Sequence, residues 1–291
     1  MRRMLRGHVP SWASLAVAAV FCLLPGILRA QGRGGQLPQP PSSPHAIAPV
    51  DLTGYWVSVI TEDWRFRMVT PPKGDYPGVP LNPEGRKLAD QWDPAKDISA
   101  GEQCRAFGAP GVMRMPVRLH VTWQDETTLK MEADNGNQVR LFHFDKAASP
   151  PAQPSWQGFS IAEWENVQQG QGLPPAGGGG GAGGVGGFGA SVPSGAPLSG
   201  SLKVVTTKLR PGYLRRNGVP YSGNSLLTEF FDRSAGPNGD SWLILTSIFE
   251  DPQYLQQPFV LSTHYKQEPD GSKFNPRPCE ITLPVEAKAA R

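Results

Sequence analysis

Histidine and cysteine, the residues behind most metal and thiol chemistry, are scarce in this 291-residue sequence, which has five and three of them. It contains no H-E-x-x-H, no G-x-S-x-G and no phosphate loop, and no G-x-G-x-x-G opens a helix. No histidine pair has the short spacing of a zinc site. The usual signatures of zinc peptidases, α/β-hydrolases and nucleotide-binding enzymes are therefore missing, although distant strands could still assemble a metal site. We predict no cofactor and name no metal ligand.

Acidic residues are absent from residues 1–30, which hold four arginines. The apolar stretch Trp12–Leu28 is interrupted by Pro25 and Gly26 and is too short for a comfortable membrane span. A basic start, an apolar middle and a small residue before the cut are typical of a secretory signal peptide, and we predict cleavage after Ala30. No second apolar run approaches membrane length. We therefore expect a periplasmic or secreted protein with no membrane insertion after signal cleavage.

Net positive charge is also missing once the predicted signal is removed. Taking its four arginines from the 28 basic residues leaves 24, against 25 acidic residues, so the net charge becomes −1. The sequence pI of about 8.8 belongs to the precursor. A near-neutral mature chain gives no reason to expect nucleic acid as a partner.

Two cysteines, Cys104 and Cys279, follow the predicted signal. An even pair in an exported protein favours a disulfide, and the chain-entropy model credits so long a loop with roughly 5 kcal/mol. A metal pair or a catalytic thiol are the alternatives.

Composition divides the remaining chain into three parts. Residues 31–49 are rich in Gly, Pro, Gln and Ser, which indicates a disordered tether, and residues 50–291 form a single β domain. Residues 177–189 contain ten glycines, and the biased stretch at about 166–200 is predicted to be a disordered insertion. Strand-like sequence resumes on both sides of it, so we place it at a hairpin tip.

Alternating apolar and polar residues dominate the rest. The pattern predicts a three-strand meander from Val117 to Asp145 with an Asn135-Gly136 turn, and one short helix from Asn82 to about Trp92 that Asp93-Pro94 ends. Further strands are predicted at 52–60, 157–165, 202–209, 226–233, 242–250 and 259–265. Residues 64–81 are predicted to be a loop with at most one short strand. The prediction is an all-β fold: an antiparallel calycin-like barrel or strongly curved sheet with one short helix.

Two resemblances support this fold. The segment from Asp51 to Trp56 is similar to the G-x-W start of lipocalins, in which the Trp closes one end of the barrel. The chain also resembles a family of exported β-rich proteins of acidobacteria and related soil bacteria that starts D-L-[ST]-G-x-W and has no assigned activity. Matching stretches cover most of residues 51–279: Trp156–Glu165, Leu202–Thr207, Arg216–Ser222, Thr228–Phe231 and Glu250–Tyr254.

That resemblance implies export and a β fold. This chain departs from the family pattern in two places. The glycine-rich insertion replaces the family's tight Gly-Asp turn after Trp-Glu, and Tyr221 stands where the family has a His after Pro.

Polar residues of the meander are the first candidate ligand-binding group. Arg118 and His120 share the polar side of one predicted strand, and Arg140 could lie near them across the sheet. They face solvent if the apolar side packs inward, or line a lumen that binds an anionic or polyhydroxylated ligand. Further candidate ligand-binding residues are Trp164, Glu165, Tyr221 and Asp251, although Glu250-Asp251-Pro252 also has the composition of a turn.

Glu229 stands in an apolar strand, where a covered carboxylate must be paired or have its pKa raised. It either forms a structural salt bridge with Arg215 or Arg216, or acts as a general acid or base with His120. The leading hypothesis for function is an exported protein that binds a small molecule in an apolar and aromatic cavity. A cofactor-free lyase, isomerase or hydrolase, and a structural or interaction protein of the cell envelope, are the alternatives.

Overall fold

A closed barrel of nine strands forms the core of the computed structural model, which describes residues 43–167 and 199–284. Neighbouring barrel strands are antiparallel, except the strands Gln138–His143 and Phe159–Val167, which are parallel. The predicted all-β barrel is confirmed. The predicted signal peptide and the glycine tract lie outside the described residues. The barrel strands are β1 Gly54–Val59, β2 Arg118–Asp125, β3 Thr128–Ala133, β5 Gln138–His143, β6 Phe159–Val167, β7 Ser199–Thr207, β10 Leu226–Ala235, β11 Ser241–Glu250 and β12 Phe259–Glu268.

The first strand closes the barrel. Trp56 of β1 pairs with Gln267 of β12 on one side and with Leu119 of β2 on the other. Its indole is fully buried, and its Nε1 donates to the Leu52 carbonyl at 3.0 Å. Because both edges of β1 are paired, this part of the sheet has no free edge.

The predicted meander corresponds to β2, β3 and β5, paired in sequence order. The turn between β3 and β5 contains Gly136 at φ 86° and Asn137 at φ 49°, a left-handed conformation that Gly and Asn tolerate best. A Cβ on Gly136 would lie 2.4 Å from Phe107. This turn also forms the two-residue strand β4, Asn135–Gly136, which pairs in parallel with β13, Arg277–Pro278.

Side chains alternate along the barrel strands between the lumen and the outer surface. The sequence left open which side of the meander strands faces the lumen, and the structure shows that it is the apolar side. Leu119 and Val121 are fully buried inside, so Arg118 and His120 point outward. The lumen is filled by large side chains, among them Trp56, Leu119, Phe142, Leu202, Phe231, Leu245 and Tyr265. The binding cavity that we expected in the barrel is therefore occupied by side chains at this level.

Short helices and a hairpin cover one end of the barrel, and we call this layer the cap. A second apolar cluster joins Leu227 and Phe249 of the barrel to Leu81, Ala89 and Tyr221 of the cap. The cap elements are α1 Trp64–Arg67, α2 Pro83–Asp90, α3 Pro94–Ser99, the 3-10 helix Gln103–Phe107, α4 Ala109–Val112, and the strands β8 Gly212–Arg215 and β9 Val219–Tyr221.

The cap contains three short α-helices and a 3-10 helix in addition to the one helix that was predicted. The predicted helix is present as α2, with Asn82 accepting a hydrogen bond from the Gly85 amide at 2.8 Å. Asp93-Pro94 does not only end that helix, because Asp93 caps α3 by accepting from the Ala95 amide at 3.0 Å and Pro94 is its first residue. Residues 64–67 form the helix α1, within a segment that was predicted to be a loop with at most one short strand.

The last part of the predicted tether, residues 43–49, is folded against the other end of the barrel. His45 stacks on Trp123 with ring centroids 4.6 Å apart, and Nε1 of Trp164 donates to the Pro44 carbonyl at 2.9 Å. The aromatic side chains of β2 and β6 give this polar segment a surface to pack on, which composition alone does not reveal. The rest of the predicted tether lies outside the described residues.

The two strands flanking the glycine-rich insertion are paired with each other. Val167 of β6 lies opposite Ser199 of β7, and the antiparallel pairing continues to Phe159 and Thr207. The insertion therefore joins adjacent strands of one hairpin, as we predicted.

Candidate functional site

Arg140 and Glu229 lie together inside the barrel. The side chains are 2% and 1% exposed, and Nη1 of Arg140 donates to Oε1 of Glu229 at 2.9 Å while Nη2 donates to Oε2 at 2.5 Å. Thr206 accepts a third hydrogen bond from Arg140 at 3.3 Å. The carboxylate is paired, as a covered carboxylate must be, but the expected partners Arg215 and Arg216 were wrong because both lie in the cap.

Arg118 and His120 are separated from that ion pair by the barrel wall. Nε of Arg118 donates to Glu268 at 2.9 Å, and Nδ1 of His120 lies 3.1 Å from Glu132. The His120 ring also stacks on Tyr55 at 4.2 Å. Arg118 and His120 do not share a face with Arg140 because alternate residues of a strand point to opposite sides. The structure therefore does not bring Glu229 and His120 together as an acid–base pair.

The remaining candidate residues lie at different places. Trp164 belongs to the aromatic cluster at the end opposite the cap, and Glu165 is partly exposed on β6, 3.8 Å from Lys203. Asp251 is buried and accepts from the Ser222 amide at 2.7 Å and its hydroxyl at 2.8 Å, so it holds a turn. Of these four residues, Tyr221 is the one that lines a groove.

That groove lies in the cap, between helices α2 and α3 on one side and the β8–β9 hairpin on the other. Its volume is about 320 Å³, at the lower end of the range for small-molecule sites. We call it the cap groove. Its lining includes Trp92, Asp97, Arg105, Tyr213, Tyr221 and Tyr254.

Asp97 is the centre of the polar side of the cap groove. The residue is buried, with 5% exposure, and accepts from Nη1 of Arg105 and from the Tyr213 hydroxyl, both at 2.9 Å. The Arg105 guanidinium also lies over the Tyr213 ring, 4.5 Å from its centroid. Burial raises the pKa of Tyr213 and the bond to Asp97 adds to it, so its hydroxyl stays protonated and continues to donate.

Local structure holds each of these groups in place. Asp97 lies on α3, which Asp93 caps, and Arg105 follows Cys104 in the 3-10 helix. Cys104 is joined to Cys279 with their Cα atoms 5.2 Å apart, which confirms the predicted disulfide. The disulfide therefore anchors the segment that carries Arg105.

The aromatic side of the groove depends on glycines. A Cβ on Gly218 would lie 2.2 Å from Cγ of Trp92, so only glycine lets the hairpin approach that indole. The hydroxyl of Tyr221 packs closely against Gly212. A Cβ on Gly212 would lie 2.6 Å from that hydroxyl, so a larger residue does not fit there. Burial raises the pKa of Tyr221, so this phenol is neutral.

A second groove of about 380 Å³ lies on the outer wall of the barrel, beside Arg118. It has no aromatic lining, and its polar groups serve the fold: Arg118 pairs with Glu268, and Asp134 accepts from the Arg118 amide at 2.7 Å. Concave sites that hold small molecules combine apolar or aromatic walls with a few convergent polar groups. The cap groove meets that description better.

Sequence reasoning named Tyr221 but not Asp97 or Arg105. Two signals were present: Asp93-Pro94 is as good a helix start as a helix end, and Arg105 is adjacent to a disulfide cysteine. Neither signal shows that Tyr213, more than a hundred residues later, donates to Asp97.

Comparison with protein-family models, with curated proteins and with solved structures found no match. Within residues 43–167 and 199–284, no three His, Cys, Asp or Glu side chains are grouped as metal ligands. In the same residues, no helix has the length and apolar character needed to cross a membrane. The disulfide fits an extracellular, oxidising location.

Proposed function

We propose that this protein is an exported small-molecule-binding protein whose ligand occupies the cap groove. The ligand class that the groove favours is a compact ring compound bearing hydroxyl groups, such as a saccharide. The observation that supports this proposal is the buried Asp97, linked to Arg105 and Tyr213 within an aromatic-walled groove.

The aromatic walls favour a ring. Trp92, Tyr213 and Tyr254 border the groove, and flat aromatic faces pack well against the apolar face of a sugar or an aromatic ring.

The polar side favours hydroxyl groups. A carboxylate has about four lone-pair positions, and the contacts of Asp97 leave capacity to accept from a ligand hydroxyl. The Arg105 side chain is 33% exposed, and Nη1 of its guanidinium donates to Asp97. An arginine has five N–H donors, so Arg105 has capacity to donate to a ligand as well. Arg105 is a hydrogen-bond donor and Asp97 beside it is an acceptor. A ligand hydroxyl both donates and accepts, so it can bond to the two side chains together.

Export is supported by two observations of different kinds. The first thirty residues have the pattern of a secretory signal, and the Cys104–Cys279 disulfide persists best in an oxidising compartment. We propose that the mature protein acts in the periplasm or outside the cell.

The first experiment is native mass spectrometry of residues 31–291 produced in a bacterial periplasm, compared with the denatured mass. An added mass that disappears on denaturation would identify a co-purified ligand. Isothermal titration with a panel of mono- and disaccharides follows. Asp97→Asn and Tyr254→Ala are expected to weaken binding by about tenfold or more, because each removes a groove contact.

Matched controls are Asp240→Asn and Tyr55→Ala, which alter a carboxylate and a tyrosine outside the groove. Their affinities should stay within about twofold of the wild type. Binding that Asp97→Asn leaves unchanged, or the absence of any bound ring compound, would contradict the proposed site.

A further inference from the structure

Four arginines meet on the side of the cap next to α1, and we call them the arginine cluster: Arg67, Arg114, Arg215 and Arg216. Arg67 is at the end of α1, Arg114 follows α4, and the other two follow each other at the end of β8. Three of the four are almost fully buried, with exposures of 2% for Arg67, 7% for Arg114 and 6% for Arg215. A guanidinium stays protonated at neutral pH, so its full positive charge remains when the side chain is buried.

Carboxylates balance only part of this charge. Glu62 pairs with Nη1 of Arg67, and Asp63 accepts from Nη2 of Arg114 at 2.7 Å. Arg216 donates instead to a neutral group, the Arg67 carbonyl, at 2.7 Å. Among the described residues, the four guanidinium groups thus pair with two carboxylates. Asp75 also acts on Arg215, but it is paired with Arg65, so an excess of two positive charges remains.

Unused donors point to where an anion would lie. Nε and Nη1 of Arg215, and Nη2 of Arg67, are buried and have no hydrogen-bond partner within the described part of the chain. The Arg215 guanidinium stacks on the Phe66 ring at 4.3 Å, which orients its plane without satisfying its N–H groups. Buried charged donors without an acceptor are strongly unfavourable.

A small cavity adjoins these donors. Its volume is about 20 Å³, and its lining includes Phe66, Arg67, Arg114 and Arg215. A cavity of about 10–15 Å³ on this measure holds one water-sized particle. The space therefore suits a monatomic ion and is too small for a sugar or a nucleotide.

We infer that the arginine cluster binds one small monovalent anion, with chloride as the species of matching size. The anion would accept from the free N–H groups of Arg67 and Arg215 and so link α1 to β8. Burial, together with the charge of Arg114, lowers the pKa of Arg215 to about 10, and an anion would oppose this shift. This site is separate from the cap groove and does not depend on the proposed function.

The test uses bromide, which replaces chloride and scatters X-rays anomalously. Crystals of the full mature protein grown in bromide should show an anomalous peak between Arg67 and Arg215. In solution, the melting temperature measured at constant ionic strength should rise and saturate as chloride replaces gluconate, an anion too large for the cavity.

Three variants complete the test. Arg215→Gln removes the charge and the free donors, and Arg215→Lys keeps the charge but loses the fork of N–H groups. Both should reduce the chloride-dependent rise in melting temperature and weaken bromide binding by about tenfold or more. Arg277→Gln, an exposed residue of β13, removes one charge elsewhere and should behave as wild type.

The inference fails if the wild-type crystals show no anomalous peak at the cluster. It also fails if the chloride response is not saturable, or is as large in Arg215→Lys as in the wild type. If Arg215→Gln does not fold, the anomalous peak of the wild type and the chloride response of Arg215→Lys still test the inference.

Discussion

Loss of one partner of the ion pair inside the barrel should destabilise the protein strongly. Glu229→Gln keeps the shape of the side chain but leaves the Arg140 guanidinium, 2% exposed, without its counter-charge. The remaining contacts of that guanidinium are the Thr206 hydroxyl at 3.3 Å and the Phe142 ring at 4.9 Å, and neither offsets a full charge. Breaking a buried pair in this way costs about 3–5 kcal/mol.

Urea unfolding followed by tryptophan fluorescence measures this cost. For a domain of this size, with a urea slope of about 2–3 kcal/mol per molar, the midpoint should fall by about 1–2.5 M at unchanged slope. Glu165→Gln is the control, because its side chain is 42% exposed and its contact to Lys203 is long. That variant should change stability by less than about 0.5 kcal/mol.

The double variant Arg140→Met with Glu229→Leu separates charge from packing. Apolar replacements of a buried pair are often neutral or stabilising, so this variant should recover most of the loss of Glu229→Gln. A fall of less than about 1 kcal/mol for Glu229→Gln alone would refute the reasoning. It would mean that water reaches Arg140 or that the pair does not form.

Three other measurements test the cap. Reduction of the Cys104–Cys279 disulfide should cost up to about 5 kcal/mol of unfolding free energy in denaturant titration, and it should weaken ligand binding because Arg105 follows Cys104. Gly218→Ala should lower the melting temperature, because φ is +81° and the new Cβ would meet Trp92; an unchanged value would contradict that packing. Burial raises the pKa of Tyr76 from 10.0 to about 12. The unfolded state therefore loses its phenolic proton first, and stability should fall as pH rises from about 10 to 12, a fall that Tyr76→Phe should reduce.

Period-two alternation made the barrel strands predictable. Val117, Leu119 and Val121 are separated by polar residues, and the pattern locates both the strand and its two faces. Asn135-Gly136 likewise located a turn, and a pair of cysteines in a chain with a predicted export signal indicated the disulfide.

The partner of Glu229 was not predictable in the same way. Arg140 and Glu229 are 89 residues apart in sequence, and they meet only because the barrel closes. Nothing local distinguishes Arg140, which faces the lumen, from Arg118, which faces out, until the register of β2, β3 and β5 is known.

The cap was predicted poorly for a related reason. Its helices are four to eight residues long, too short to show a helical period, and packing rather than propensity stabilises them.

Local sequence thus determined the strands, the turns and the need for a partner at Glu229, because periodicity, turn chemistry and the cost of a buried charge act within a few residues. Tertiary structure alone decided which arginine pairs with Glu229, where the cap groove lies and how four arginines come to share one cavity. Those features depend on how the ring of strands closes and on what packs over its end, and that geometry arises between residues far apart in the chain.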